Sequence, residues 1–200
     1  MRMVQIDYFL ATNSPYVYLA GNRLEEIAAK HRATIRYLPL NAAALFPRNG
    51  GQLRADRHQS RLDYRAQELR RQAKKNGVRL DPKPLYDGAN PAPSSYAILA
   101  AAKAGGGDLP GLVQAFSRAL WAEGRNIAED EVVGEILAAH GFDPTVADRG
   151  MMMAADAYGS NLEEAVLRGV FGVPFYMVGE EKFWGQDRLD DLDLFLSGKL

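Results

Sequence analysis

Strand-like segments occur only near the two ends of this 200-residue chain, and the long segment between them shows helical periodicity alone. Val4 to Leu10 is short and rich in apolar residues, which favours a buried strand. Ser14 and Pro15 predict a helix start, because a serine side chain caps unpaired amides and proline suits the first helical position. The helix is expected to end near Lys30, and Thr34 to Leu40 predicts a second strand. This β-α-β order implies two parallel strands joined by a crossover helix.

The middle of the chain predicts helices separated by glycine and proline. From about Asp56 to about Gly159 the apolar residues recur only at helical spacing. The four stretches that mark separate helices are Leu62 to Ala73, Tyr96 to Ala100, Leu112 to Leu120 and Val132 to Leu137. We therefore expect an all-helical block between the two strand-bearing ends.

The last segment returns to mixed structure. Leu162 to Leu167 predicts a helix, Pro174 to Val178 and Lys182 to Trp184 predict two strands, and Gln186 to Leu196 predicts a final helix. The complete order is β-α-β, a helical block, then α-β-β-α. This is the order of an α/β thioredoxin-like fold with a large all-helical insertion.

The predicted fold divides the chain into two units. Residues 1–45 and 160–200 are expected to form the thioredoxin-like domain, and residues 46–159 the helical insertion. Hydrophobic residues make up 47% of the chain, which is enough for a substantial core.

Charge and hydropathy limit the class of partner. The formal net charge of −1 does not favour binding to nucleic acid or to an anionic membrane. No window approaches the roughly 18 apolar residues of a membrane-spanning helix, and the first residues do not resemble a signal peptide. A cytoplasmic location is therefore expected.

The chain contains no cysteine. This excludes disulfides, thiolate metal sites and Cys-x-x-Cys redox chemistry from its own side chains. His31, His58 and His140 are too scattered to predict a metal site. The run from Met151 to Met153 indicates packing rather than ligand binding.

Three motifs, in this order and at these separations, resemble a known family. They are Asn13 to Ala20 (NSPYVYLA), Gly169 to Phe175 (GVFGVPF) and Phe183 to Leu189 (FWGQDRL). Together they resemble the 2-hydroxychromene-2-carboxylate isomerases and their relatives, the kappa-class glutathione transferases. Both groups are similar in fold to DsbA-like thiol oxidoreductases. The resemblance covers nearly the whole chain.

The resemblance implies that glutathione is a cofactor and that Ser14 is the catalytic residue. A hydroxyl where a strand enters a helix can donate a hydrogen bond to a thiolate and lower the thiol pKa of bound glutathione. Ser14 is also expected among the cofactor-binding residues. The alternative is that Ser14 is an ordinary helix cap, since Ser-Pro caps are common.

Two further motifs are implied to bind glutathione. Val173 and Pro174 match the cis-proline of thioredoxin-like folds, where the backbone of Val173 pairs with the cysteinyl part like an added strand. The alternative for Pro174 is a proline that starts a strand.

Trp184-Gly185-Gln186-Asp187 is expected to open the last helix. Its amides could hold the γ-glutamyl carboxylate, and Asp187 could accept from the ammonium group. The alternative is that Gln186 or Asp187 only caps the helix.

Substrate contacts are less distinct. Residues 48–79 contain ten Arg or Lys against three Asp or Glu, which is typical of a solvated helix face. The alternative is that a few of them line a pocket and bind a carboxylate. The resemblance implies substrate contacts at Arg48, Asn49 and Asn90.

The implied activity is glutathione-dependent isomerisation of 2-hydroxychromene-2-carboxylate or a similar aromatic-degradation intermediate. The partner is then a small aromatic carboxylate, and the relatives suggest a homodimer. Two alternatives remain: a kappa-like glutathione transferase, and a non-catalytic glutathione- or peptide-binding module.

Overall fold

The computed structural model describes residues 4–200, and these residues form one four-stranded sheet surrounded by nine α-helices. The strands are β1 (Gln5–Leu10), β2 (Thr34–Pro39), β3 (Phe175–Val178) and β4 (Glu181–Trp184). The helices are α1 (Pro15–Ala20), α2 (Arg23–His31), α3 (Ala42–Leu45), α4 (Gln59–Lys75), α5 (Ala92–Ala104), α6 (Leu109–Trp121), α7 (Asp130–Ala139), α8 (Val146–Leu167) and α9 (Leu189–Leu196). Two short 3-10 turns lie between α3 and α4, at Phe46–Asn49 and Arg54–Asp56.

The strand order is β2-β1-β3-β4. β1 and β2 are parallel, whereas β3 is antiparallel to both of its neighbours. Phe9 on β1 lies opposite Phe175 on β3, and Phe175 lies opposite Trp184 on β4. The carboxyl ends of β1 and β4 and the amino end of β3 therefore meet at one edge of the sheet. The predicted α/β thioredoxin-like order with inserted helices is confirmed.

The sheet is covered on both faces. Alternate residues of β1 point to opposite sides, so Tyr8 and Leu10 join a core that also contains α5 and α6, whereas Phe9 packs on the other face with residues of α8. The inserted helices thus share one continuous apolar core with the sheet. The expected division at residues 159 and 160 falls inside α8, which is continuous from Val146 to Leu167.

Two helices end or begin at other residues than predicted, because a glycine changes the course of the backbone. The predicted helix from Pro15 to Lys30 is two helices, since Gly21 adopts φ 60° and ψ −147° and its carbonyl accepts from Gln114 at 2.6 Å. The final helix begins at Leu189 rather than Gln186, because Gly185 has φ 108° and the chain turns before α9 begins.

The predicted packing role of the methionine run is wrong. Met152 is 84% exposed, and its two neighbours are also exposed. The buried stripe of α8 passes through Gly150 and Ala154 instead, and a Cβ on Gly150 would lie 2.7 Å from Cβ of Ala100. The segment from Leu162 to Leu167, predicted as a separate helix, forms the last turns of α8.

A buried carboxylate joins the sheet to the end of α8. Asp7 on β1 accepts hydrogen bonds from Arg36 on β2 at 2.8 Å, from Arg168 at 2.6 Å and from Gln5 at 2.8 Å. Burial of Asp7 acts to raise its pKa, but these three donors outweigh that effect and hold the pKa below its ordinary value. The ionised form of Asp7 is therefore stabilised in the folded protein.

Asp7→Asn is expected to lower the free energy of unfolding by about 2 kcal/mol at neutral pH, because it removes the charge that both arginines contact. The folded pKa of Asp7 is depressed, so its contribution is complete above the unfolded value of 3.8 and is lost as the pH falls through the folded pKa. Denaturant unfolding of both proteins at several pH values measures this. The difference in free energy of unfolding between the two proteins should become smaller below pH 3.8.

Asp190→Asn is the matched control, since Asp190 pairs with Arg23 at 2.8 Å but its side chain is 85% exposed. It should change stability much less than Asp7→Asn at neutral pH. Equal losses for the two variants would contradict the role given to Asp7.

Candidate active site

The three motifs singled out in the sequence lie at one edge of the sheet. Ser14 follows the carboxyl end of β1, Pro174 precedes β3, and Gly185 follows β4. The backbone N–H of Gly185 donates to the carbonyl of Pro174 at 2.9 Å, which fastens two of the segments together. The register of the sheet places the third segment beside them.

Ser14 caps helix α1 and is buried, with 9% of its surface exposed. Its Oγ accepts from the N–H of Val17 at 3.4 Å, which is long for a hydrogen bond of this type. No acceptor for the hydroxyl proton lies within hydrogen-bond distance among residues 4–200. The hydroxyl is therefore able to donate to a ligand while it keeps its capping contact. Since α1 has only six residues, its helix dipole stabilises a nearby anion less than a direct hydrogen bond does.

The loop before Ser14 is held by the inserted helices. Thr12 is fully buried, and its hydroxyl shares a hydrogen bond of 2.8 Å with the hydroxyl of Ser94 on α5. Ser117 on α6 donates to the carbonyl of Thr12 at 3.3 Å, and Asn13 donates to a carbonyl just before α5 at 3.1 Å. Sequence reasoning missed these positioning residues. The available signal was small polar residues at apolar positions of the helices.

The segment before β3 contains a cis peptide bond between Val173 and Pro174, as the resemblance implied. Val173 is buried at 7% exposure, yet neither its backbone N–H nor its carbonyl has a hydrogen-bond partner among residues 4–200. Asn49 supports this segment, since its side-chain amide donates to the carbonyls of Val170 at 2.7 Å and Val166 at 3.3 Å.

The turn after β4 depends on Gly185. Its φ of 108° is unfavourable for other residues, and a Cβ there would lie 2.6 Å from Oδ1 of Asp187. The backbone amides of Gln186 and Asp187 have no hydrogen-bond partner in the described part of the chain. Arg23 holds the turn by donating to the carbonyl of Gln186 at 3.0 Å. The turn therefore presents two unpaired amides and one carboxylate.

An aromatic surface lies beside this turn. Trp184 is 53% exposed. Its indole packs so closely on Gly172 that a Cβ on Gly172 would lie 2.4 Å from Nε1 of the indole. Phe171 contacts Trp184 edge-on, with ring centroids 4.9 Å apart. Exposed aromatic rings beside unpaired polar groups are typical of a binding site.

The three predicted substrate residues have partners within the chain. The guanidinium of Arg48 makes two hydrogen bonds, of 2.6 and 2.8 Å, to the carboxylate of Glu163 on α8. Asn49 is engaged by α8 and the segment after it, as described above. The side-chain oxygen of Asn90 accepts from the N–H of Ala92 at 3.1 Å and shapes the turn that enters α5.

Eight of the ten basic residues between positions 48 and 79 are exposed, as a solvated face requires, and only Arg57 and Arg65 are half-buried. No group of His, Asp and Glu in residues 4–200 is arranged to hold a metal ion. No helix in the same range is long and apolar enough to cross a membrane.

Known proteins similar to this chain agree with the motif resemblance. A 2-hydroxychromene-2-carboxylate isomerase from Pseudomonas putida is 28% identical over 187 residues, which cover 92% of this chain and 90% of that protein. The isomerase of the same name from Pseudomonas sp. strain C18 is 26% identical over 199 residues, with 98% and 92% covered.

Solved structures place the fold in the same group. The structure of a selenomethionine form of 2-hydroxychromene-2-carboxylate isomerase is 27% identical, has a TM-score of 0.77, and matches 97% of this chain and 95% of its own. The cytosolic disulfide reductase DsbM from Pseudomonas aeruginosa, solved with GSH, is 21% identical with a TM-score of 0.67 and 98% of both chains covered, which shows similarity of fold alone. The family model described as a DsbA-like thioredoxin domain matches residues 5–197. The chain therefore belongs to the DsbA-like thioredoxin family.

Proposed function

We propose that this protein is a glutathione-dependent isomerase of 2-hydroxychromene-2-carboxylate or a closely related aromatic carboxylate. Relatives of that name, aligned over nearly the whole chain, support isomerase activity on this substrate. The observation that most supports glutathione is the set of unpaired polar groups at one sheet edge. These are the hydroxyl of Ser14, the backbone of Val173 and the two amides after Gly185.

The residues present fit glutathione in three places. The unpaired N–H and carbonyl of Val173 can pair with the cysteinyl backbone as an added strand. The amides of Gln186 and Asp187 can bind the γ-glutamyl carboxylate, and the carboxylate of Asp187 can accept from the γ-glutamyl ammonium. Trp184 offers an exposed ring beside them.

Bound glutathione supplies the thiol nucleophile that this cysteine-free chain lacks. Ser14 contributes a hydroxyl that donates to sulfur and favours its ionised form. Ser14 is buried, and a hydrogen bond is electrostatically stronger at the low dielectric of a buried site than in water. The hydrogen bond shared by Thr12 and Ser94 and the one that Asn13 donates keep the loop before Ser14 in place. The donor therefore does not have to reorganise when sulfur becomes charged.

Arg48, Asn49 and Asn90 remain predicted substrate contacts. A substrate would have to compete with Glu163 for Arg48 and with backbone groups for the two asparagines. A homodimer and a cytoplasmic location also remain predictions.

Product analysis separates isomerisation from glutathione transfer, because the two reactions use the same bound thiol. With 2-hydroxychromene-2-carboxylate and catalytic glutathione, the isomerase yields the trans-benzylidenepyruvate product and leaves the glutathione concentration unchanged. With a halogenated aromatic, a transferase consumes glutathione stoichiometrically. Conjugate formation without isomerisation would replace the proposed reaction with transfer, and tight glutathione binding without either reaction would indicate a binding module.

Ser14→Ala is expected to lower kcat for isomerisation about 100-fold or more, because it removes the donor to sulfur. The thiol pKa of bound glutathione should rise in the same variant. Steady-state kinetics and the ultraviolet absorbance of the thiolate across pH measure the two effects.

Asp108→Ala controls for the loss of a helix cap. Asp108 caps α6 by accepting from the N–H of Gly111 at 3.0 Å, and it belongs to none of the three site segments. The Asp108→Ala variant should have a lower free energy of unfolding, because α6 loses its cap, but an unchanged kcat. Full activity in Ser14→Ala would disprove the role of Ser14.

Asp187→Asn is expected to weaken glutathione binding about tenfold, because it removes the charged acceptor for the γ-glutamyl ammonium. Calorimetry with glutathione and with cysteinylglycine, which lacks the γ-glutamyl part, measures the effect. Only glutathione should lose affinity. Asp191→Asn, which removes the same charge from the first turn of α9, is the control and should bind both peptides as the unmodified protein does. Equal losses for both peptides would contradict the assignment of Asp187.

A further inference from the structure

Arg65 on α4 differs from the other basic residues of its region in burial and pairing. Only Arg57 and Arg65 among those ten residues are half-buried. Arg57 already donates to the carbonyl of Gln52 at 3.1 and 3.3 Å and lies over the ring of Phe46, with its guanidinium carbon 6.0 Å from the ring centroid. Arg65 makes no hydrogen bond or ion pair with any residue between 4 and 200. A half-buried guanidinium without a partner in the chain has lost part of its hydration, and a bound anion can replace it.

The packing of α4 directs Arg65 toward the candidate site. Leu69 belongs to one apolar cluster with Leu19 of α1, and Tyr16 packs against that cluster. Arg65 lies one turn before Leu69 on the same face of α4. Asn76 near the end of α4 donates to the carbonyl of Leu19 at 2.8 Å, and Arg65 lies near Tyr16 at the amino end of α1. The two contacts indicate that the helices run in the same direction. Moving back along α4 therefore leads toward the amino end of α1, where the predicted catalytic serine lies.

The surroundings of Arg65 are positively charged. Arg54 and Arg57 lie near enough to disfavour its charge, whereas the nearby carboxylate is that of Asp87. Asp87 is already paired with Arg54 at 2.8 Å. Burial of the guanidinium lowers the pKa of Arg65 below its ordinary value, and the nearby Tyr16 of α1 is itself partly buried. Glu68, which lies near Tyr16, is paired with Arg71 at 3.1 Å. Around Arg65, three guanidiniums including its own are therefore close to the one carboxylate of Asp87.

We propose that Arg65 binds the carboxylate of the aromatic substrate where α4 meets the amino end of α1. A planar guanidinium matches a carboxylate with two parallel hydrogen bonds, which positions the ligand as well as attracting it. The partly buried ring of Tyr16 lies near Arg65 and can contact the aromatic part of such a ligand. The identity of the substrate rests on the proposed function, whereas the carboxylate site itself does not require turnover.

Binding of coumarin-3-carboxylate, a stable bicyclic aromatic acid, tests the proposal without catalysis. Calorimetry with and without glutathione should show that Arg65→Met weakens binding at least about tenfold. Arg65→Lys should recover part of the affinity, because it keeps the charge and loses the two-pronged geometry. Coumarin, which has no carboxylate, should bind the three proteins equally.

Arg70→Met is the matched control. Arg70 is exposed and lies five positions along the same helix, about 140° around its axis from Arg65. It should bind the acid as the unmodified protein does. Circular dichroism of all variants checks that α4 remains folded.

Three results would overturn the proposal. In the first, Arg65→Met and the unmodified protein bind the acid with equal affinity. In the second, the unmodified protein does not bind the acid at millimolar concentration. In the third, Arg65→Met binds glutathione more weakly but binds the acid as the unmodified protein does. The last result would assign Arg65 to a carboxylate of glutathione. Failure of glutathione to bind the unmodified protein would refute the proposed function alone, because the arm without glutathione still tests Arg65.

Discussion

The pairing of β1 determines where every group of the candidate site lies. β1 is buried on both faces, with Tyr8 facing the inserted helices and Phe9 facing α8. A slip of one residue would exchange these two faces, so burial fixes the register with β2 and β3. That register sets the end of β1 beside the start of β3, and the β3–β4 pairing adds Gly185. Three segments distant in the sequence thereby share one edge.

The inserted helices position the site rather than only covering it. Thr12, Ser94 and Ser117 are fully buried, and a buried hydroxyl is costly without a hydrogen-bond partner. They satisfy one another, and the geometry that does so also fixes the loop before Ser14. An apolar contact in the same place would hold the two parts together but would tolerate sliding. This explains why Ser94 and Ser117 occur in the buried faces of α5 and α6.

Local signals in the sequence were sufficient for the element order and insufficient for the ends of helices and the long-range contacts. Apolar periodicity located the four strands and most helices. Gly21 divides the first predicted helix and Gly185 delays the start of the last one, through backbone angles that periodicity does not detect. The motif resemblance predicted the site segments, but their unpaired backbone groups depend on the assembled sheet. Arg65 could not be distinguished from nine other basic residues by sequence, because only packing against α1 determines which guanidinium is buried.

Under the proposed function, most groups that hold glutathione belong to the backbone, and this affects how the sequence can vary. The N–H and carbonyl of Val173 and the amides of Gln186 and Asp187 are present whatever the side chains are. Only positions with a special geometric or chemical demand are then restricted, namely the hydroxyl of Ser14, the carboxylate of Asp187 and the conformation of Gly185. The other side chains of these segments can therefore vary without loss of the proposed cofactor site. A substrate carboxylate bound by one arginine on α4 fits this division, because that contact depends on a side chain.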